Sequence, residues 1–325
     1  MNGFISKIFA YPFGYIIGLL YNIFGQNYLM AIIFFAVVIK LVLLPTGISQ
    51  QKNQVKTKRM QAKVQKIREK YGDDQKKIQE ETAALYQKEG MSSMTSGCGS
   101  LLIQLPIIMG LYGAIYRPLT YVLRLDKATV AELTSAVAKI APGSGNHAAN
   151  VMEITVLQHI DKLQELLPNM SPKVFGVVSE FAAHFKAFGY NFGTIPKEVW
   201  KDDKSIIIVP IVAFASAMLT SIYSIIRAKK MGESSANMAS MGCMMLFMPL
   251  MSLWLAFQFP VGIGVYWAVN GLLGFIQMVV LNKIYTPEKV IAKMMLDETI
   301  KRREKEVSFK NQYKFLNEHN NELTD

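Results

Sequence analysis

Apolar positions in this chain fall into long blocks separated by charged stretches. The first uninterrupted block is YLMAIIFFAVVIKLVLLP, residues 28–45, which holds a single lysine, Lys40. Eighteen helical residues rise about 27 Å, close to the roughly 30 Å hydrocarbon core of a bilayer. An ammonium at that depth costs about 2.5–3.5 kcal/mol, so such a group normally faces a partner or a wet cavity. Lys40 also lies only about 8 Å of helix rise from the end of the block, near enough for its stem to reach the headgroups. The block alone leaves both readings open.

The pattern then predicts a sequence of parts. Residues 1–27, broken by Pro12 and Gly14, read as an interfacial amphipathic segment, with an uncleaved signal anchor as the alternative; the Gly14/Gly18 pair is too short a motif to argue for helix dimerisation. Residues 28–50 form a first span. In residues 51–91, Val55, Met60, Val64, Ile67 and Tyr71 recur at helical steps, Gly72-Asp73 offers a turn, and Ile78, Thr82 and Leu85 resume the period. This predicts a polar helical hairpin. Residues 97–124 form a second span containing Gln104, Pro106 and Gly110, and residues 125–204 a soluble helical insert with a Pro-Gly-Ser-Gly loop at 142–145, expected to cap the outer end of the bundle. Further spans follow at 205–227, 242–259 and 261–284. The tail, 285–325, opens on Thr-Pro-Glu, a helix-start signal, and carries the cluster Lys301-Arg302-Arg303. The expected fold class is therefore an all-α polytopic membrane protein with five transmembrane helices, a cytoplasmic helical hairpin and an external helical insert.

Charge orients these parts. Gln51 to Gly90 carries eleven Lys and Arg against six acids, whereas Asp126 to Lys204 carries eight Lys against nine acids. The positive-inside rule puts the hairpin and the tail in the cytoplasm, and the insert and the N-terminal segment outside. With 51% hydrophobic and 18% charged residues, the composition excludes an ordinary soluble domain. The net charge of +11 is accounted for by topology and anionic headgroups without a nucleic-acid partner.

No phosphate-loop motif, H-E-x-x-H or G-x-S-x-G occurs, and Cys98 and Cys243 are not in a metal-ligand spacing. No catalytic residue, metal site or cofactor is expected. The polar groups inside apolar blocks are Lys40, Gln104, Thr220, Ser221, Ser224, Asn270 and Gln277. Each uncharged one is accounted for by an interhelical hydrogen bond if taken singly. Together they also suit a small-solute or ion transporter, or a scaffold for membrane assembly.

Several stretches carry a resemblance: AIIFFAVVIKLVLLP, the hairpin ending LYQKEG, LLIQLPIIMGLYGAIY, FGYNFG, and FMPLMSLWLAFQFPVGIGVYWAVNGLLGFIQ. The chain resembles the YidC/Oxa family of membrane protein insertases, in the five-span form of Gram-positive bacteria. The resemblance implies a groove open to the cytoplasm and to lipid but closed outside, receiving nascent membrane proteins, with Sec translocase and ribosome contacts through the hairpin and tail. The family's first-span arginine corresponds to Lys40, its last-span aromatic to Trp267 beside Tyr266, and its polar third-span patch to Thr220, Ser221 and Ser224. Gln104 and Asn270 complete the expected groove set. Gly97-Cys98 matches the family's pair before the second span, although Ser93-Met94 stands where Asn-Pro is expected.

Overall fold

In the computed structural model the described residues are 4–72, 74–88, 99–141, 148–187, 189–230 and 235–322. The expected turn residue Asp73, the small-residue connector before Gly99 and the 142–145 loop lie outside them. The described elements are predominantly helical and form two compact units, Met1–Leu44 with Cys98–Met278, and Pro45–Gly97 with Val279–Asp325.

The first unit opens with α1 (Phe4–Ile23) and α2 (Tyr28–Val42). Asn27 caps α2 by accepting from the Met30 N–H at 3.0 Å. The apolar block does not run through to Pro45 as one helix. It breaks at Leu43, whose N–H bonds back to the Ile39 carbonyl, and α3 (Leu44–Tyr71) begins immediately after. Proline lacks an N–H and its ring collides with the preceding turn, so Pro45 sits in the opening turn of the new helix.

Continuing through this unit are α5 (Gly99–Tyr116) and the short α6 (Pro118–Tyr121), reached after the hairpin helix α4 (Gln75–Lys88) of the second unit. The insert follows as α7 (Lys127–Ile140), α8 (Ala148–Gln158), α9 (Ile160–Leu166) and α10 (Pro172–His184). The helical stretch expected over 149–167 is divided at His159, whose Nδ1 lies 3.1 Å from the Thr155 carbonyl. A two-stranded antiparallel ribbon, β1 (Lys186–Ala187) and β2 (Tyr190–Asn191), interrupts the all-helical expectation. Then come α11 (Pro196–Val199), a 3-10 turn at Lys204–Ile207, α12 (Ile208–Lys230), α13 (Ser235–Gln258) and α14 (Val261–Ile284).

The insert is not a separate module, because one contiguous core joins it to the apolar helices. Ile17 and Tyr21 of α1, Tyr28 and Phe35 of α2, Leu111 and Ile115 of α5, Leu133 of α7, Phe181 of α10, and Tyr266 of α14 all belong to it. Phe181, Phe185 and Phe192 surround Tyr28 with ring centroids at 5.5, 4.7 and 5.0 Å. The Tyr28 hydroxyl, fully enclosed by these rings, has no hydrogen-bond partner among the described residues. An enclosed, unpaired hydroxyl costs about 1–3 kcal/mol, so Tyr28→Phe is expected to leave stability unchanged or raise it, read as a thermal melt in detergent. A clear loss would place an unseen partner at that oxygen.

Helix α1 packs on α5 and on α6 and its end through small residues. A Cβ on Gly14 would stand 2.6 Å from the Tyr121 carbonyl oxygen, and one on Gly18 would stand 2.7 Å from that of Val122. The GxxxG pair is thus occupied within the chain. Beside that packed face, α1 exposes Ile8, Tyr11, Tyr15, Leu19 and Ile23, an apolar stripe at helical spacing. Similar stripes are exposed on α12 (Ile208, Ile211, Leu219, Ile222, Ile226) and α14 (Leu272, Ile276, Val280).

Among the described residues, two helical stretches are long and apolar enough to cross a membrane, Lys204–Lys229 and Val261–Ile284. The broken pair Tyr28–Val42 and Leu44–Asn53 makes a third if it is one span. Ile8–Ile23 and Leu105–Tyr116 are shorter apolar helices.

In the second unit, Tyr71 at the end of α3 donates to Glu81 Oε1 of α4 at 3.2 Å, and Asp74 caps α4 by accepting from the Lys77 N–H at 3.1 Å. The end of α14 and the tail helix α15 (Pro287–Glu322) complete this unit. Gln51 Nε2 donates to Asn282 Oδ1 and both side chains are buried, while the Lys52 ammonium lies 5.0 Å from the centre of the Tyr285 ring. Thr286 precedes Pro287 at the start of α15, and its carbonyl accepts from the Val290 N–H at 3.0 Å.

Candidate functional site

Three helices carry most of the expected site residues: α2 with Lys40, α12 with Thr220, Ser221 and Ser224, and α14 with Tyr266, Trp267 and Asn270. Both α2 and α12 meet α14. Phe35 of α2 approaches Tyr266 with ring centroids 6.1 Å apart, and two turns further along α14 the Lys40 side chain reaches Gly274. A Cβ at position 274 would lie 3.4 Å from Lys40 Nζ and 3.9 Å from Cε. On the α12 side, Val209 packs against Gly264 and Ser216 against Gly271, and Ser224 Oγ lies 3.5 Å from Met278 Sδ.

This geometry sorts the hydroxyl groups. Ser224 Oγ donates to the Thr220 carbonyl at 2.9 Å, and the buried Ser216 Oγ donates to the Ala213 carbonyl at 2.8 Å. Such back-bonds satisfy a hydroxyl inside its own helix where no water is available. Thr220, Ser221 and Ser224 are all partly exposed. They form a mildly polar strip on an otherwise apolar helix.

The two adjacent aromatics of α14 separate. Neighbouring residues on a helix point about 100° apart, so Tyr266 and Trp267 cannot share a surface. Tyr266 has no exposed area and belongs to the core, so it packs rather than lines a surface. Trp267 is partly exposed and meets the Phe259 ring edge-on at 5.8 Å. Asn270, Gly274 and Gln277 continue the Trp267 face at steps of three and four, and all are partly exposed.

Lys40 has no hydrogen-bond or ion-pair partner among the described residues, and it is partly exposed. Leu41 and Val42 beside it are 63% and 67% exposed. Its amine is directed across α14 instead of along the exposed side that those neighbours occupy. Gln104 lies on α5, but its side chain is outside the described residues. Sequence reasoning missed Gly274, Ser216 and Met278. The available signal was the three-and-four spacing of 267, 270, 274 and 277, in which a glycine interrupts three larger side chains.

Among the described residues, no three His, Cys, Asp or Glu side chains are grouped so as to hold a metal ion. The arrangement offers a cation without a hydrogen-bond or ion-pair partner among the described residues, with hydroxyls and amides beside apolar helix faces.

Comparison with known proteins places the chain among relatives. The chain is similar to membrane protein insertase YidC 2 of Listeria innocua serovar 6a, 37% identical over 120 residues that make up 36% of this chain and 42% of that protein. It is 39% identical over 118 residues to membrane protein insertase MisCA of Bacillus subtilis, covering 35% and 45% of the two chains. To membrane protein insertase YidC of Oceanobacillus iheyensis it is 34% identical over 120 residues, 36% and 47% of the two. The matched segments thus span less than half the length of these relatives. The profile of the family described as 60Kd inner membrane protein matches much more of the chain, residues 19–289. From that span, and from the apolar helices and insertase-named relatives that accompany it, the chain belongs to the 60Kd inner membrane protein (YidC/Oxa) family of multi-pass membrane proteins.

Proposed function

We propose that this protein is a membrane protein insertase and chaperone whose working surface is a hydrophilic groove between α2, α12 and α14, open to the cytoplasm and to lipid. The observation that carries this reading is Lys40: an amine within an apolar helix, turned onto α14 with no acid beside it among the described residues. Gln104, Thr220, Ser221, Ser224, Trp267 and Asn270 provide the polar and aromatic lining, and Tyr266 anchors the wall through Phe35. Five spans, an external N-terminal segment and insert, and a cytoplasmic hairpin and C-terminus complete the topology in a bacterial plasma membrane. The exposed apolar stripes of α1, α12 and α14 face lipid.

The energetics require no fuel. Twenty apolar residues entering lipid at about −0.3 to −0.6 kcal/mol each release roughly 6–12 kcal/mol. Each charge carried through the bilayer centre costs about 2.5–3.5 kcal/mol, so few can cross unless the path is shortened and wetted. A groove does both. An outside-positive potential contributes about 2.3 kcal/mol per 100 mV to each negative charge moved outward, and the Lys40 cation attracts the same groups. Nascent membrane proteins with short, acidic translocated segments are the favoured clients. The hairpin and basic tail meet the Sec translocase, ribosomes and anionic lipid headgroups on the cytoplasmic side.

The test is insertion of an acidic-tailed client by cells or proteoliposomes carrying Lys40 variants. Lys40→Glu is expected to abolish insertion while the protein still folds, and Lys40→Arg to retain it, because the requirement is the positive charge. Full insertion by Lys40→Glu overturns the groove-charge reading. A silent Lys40→Leu would favour a scaffold. Nascent-chain adducts from a photoprobe at position 267 distinguish an insertase from either a scaffold or a solute transporter.

A further inference from the structure

We propose that Gly274 is a specificity-determining residue of this groove: its missing side chain forms the seat in which the Lys40 amine lies across α14, between the levels of Asn270 and Gln277, available to an acidic client segment. The inference rests on the insertase reading and extends it from the charge to the residue that positions the charge.

Three observations meet at this position. The first is contact, since a Cβ on residue 274 would stand 3.4 Å from Lys40 Nζ and 3.9 Å from Cε. One methyl fits there at ordinary van der Waals distance, whereas a branched side chain projects into the volume the ammonium occupies. The second is register. Asn270 lies four residues before Gly274 and Gln277 three after it, so helical spacing sets an amide one turn to either side on the same face. An amide carbonyl can accept from an ammonium without neutralising it, so the two amides flank the cation at one turn's distance and leave its charge available. The third is direction. Leu41 and Val42 next to Lys40 are largely exposed, whereas Lys40 itself is half-buried and its Nζ and Cε are the nearest side-chain atoms to position 274 of α14.

A side chain at 274 would push the amine away from the amides and toward the apolar exposed side, where a charge is poorly solvated. The positive charge would remain in the chain but be lost from the groove. Position 274 therefore controls which clients are accepted, separately from the presence of the lysine.

The experiment measures the ratio of insertion of an acidic-tailed client to that of a matched neutral-tailed client, using the full-length protein in proteoliposomes. Gly274→Val is expected to lower that ratio to the value of Lys40→Leu, Gly274→Ala to lower it less, and the Lys40→Leu/Gly274→Val double variant to lower it no further than either single change. A Gly274→Val ratio equal to wild type overturns the proposal. A wild-type ratio in Lys40→Leu overturns the groove-charge reading itself and the proposal with it, so the two failures are distinguishable. A direct geometric readout guards against a misfolded valine variant: a short amine-to-thiol cross-linker applied to Gly274→Cys should join that thiol to Lys40 within one chain. Absence of that link in the folded variant also overturns the proposal.

Discussion

Phe181→Ala is expected to lower stability by about 3–5 kcal/mol, the usual cost of removing a fully enclosed ring. The ring is 1% exposed and touches Tyr21 of α1, Tyr28 of α2 and Phe185, with centroids at 5.2, 5.5 and 5.3 Å. It comes from α10 of the insert, yet two of its partners, Tyr21 and Tyr28, lie more than 150 residues earlier in the chain. Its loss opens a cavity where three elements meet, and the enclosed site cannot collapse without moving α1 or α2. Thermal unfolding in detergent provides the measurement, with Val177→Ala as a control because that neighbour is 38% exposed. If the two variants melt alike, the insert is an independent module. Removing residues 128–187 altogether should then be harmless, whereas the shared core predicts that it disrupts folding of the apolar helices as well.

Glu153→Ala is expected to cost about 1–3 kcal/mol through a different route, by leaving donors unpaired. Glu153 lies on α8, buried, and accepts from the Thr120 N–H at 2.9 Å and the Thr120 hydroxyl at 2.6 Å. Its carboxylate therefore caps the short helix α6 from across the insert. Burial raises the carboxyl above the ordinary glutamate value of 4.5, although the Thr120 bonds and the Arg117 charge pull the other way. The folded protein thus holds this proton more tightly than the unfolded chain. The group's contribution is fully present below 4.5 and is lost as pH rises through the higher folded value. Wild type should accordingly lose stability relative to Glu153→Gln across a window that starts near 4.5, measured as the difference between melts in a pH series. A difference independent of pH would show that burial does not perturb this carboxyl.

These two predictions concern the region where the amino-acid pattern was least informative. The helices on either side of Gly72 and the Thr-Pro start of the tail helix were legible because they depend on near neighbours. So was the family, which is carried by short motifs spread along the chain. The break at Leu43 was written in Pro45 but hidden by the uniform hydropathy around it. The shared core of insert and helices was not legible, since nothing local in Phe181 or Phe185 specifies Tyr28 as a partner. At the candidate site, composition identified Lys40 and the hydroxyls of α12. It did not separate Tyr266 from Trp267, which a helix turns apart, and it passed over Gly274, whose role lies in an absent side chain.

The bond between Gln51 and Asn282 has a consequence for how the protein itself is made. The two amides are 231 residues apart, and at 5–20 residues per second a ribosome takes roughly 10–50 s to travel from one to the other. Throughout that interval the root of the hairpin has been synthesised without the partner that fastens it. A growing chain of this protein therefore passes through a stage in which its hairpin is untethered, and the last apolar helix closes the fastening as it emerges. Nascent chains stalled before position 282 should expose Gln51 and its neighbours to protease, and chains stalled well beyond it should not.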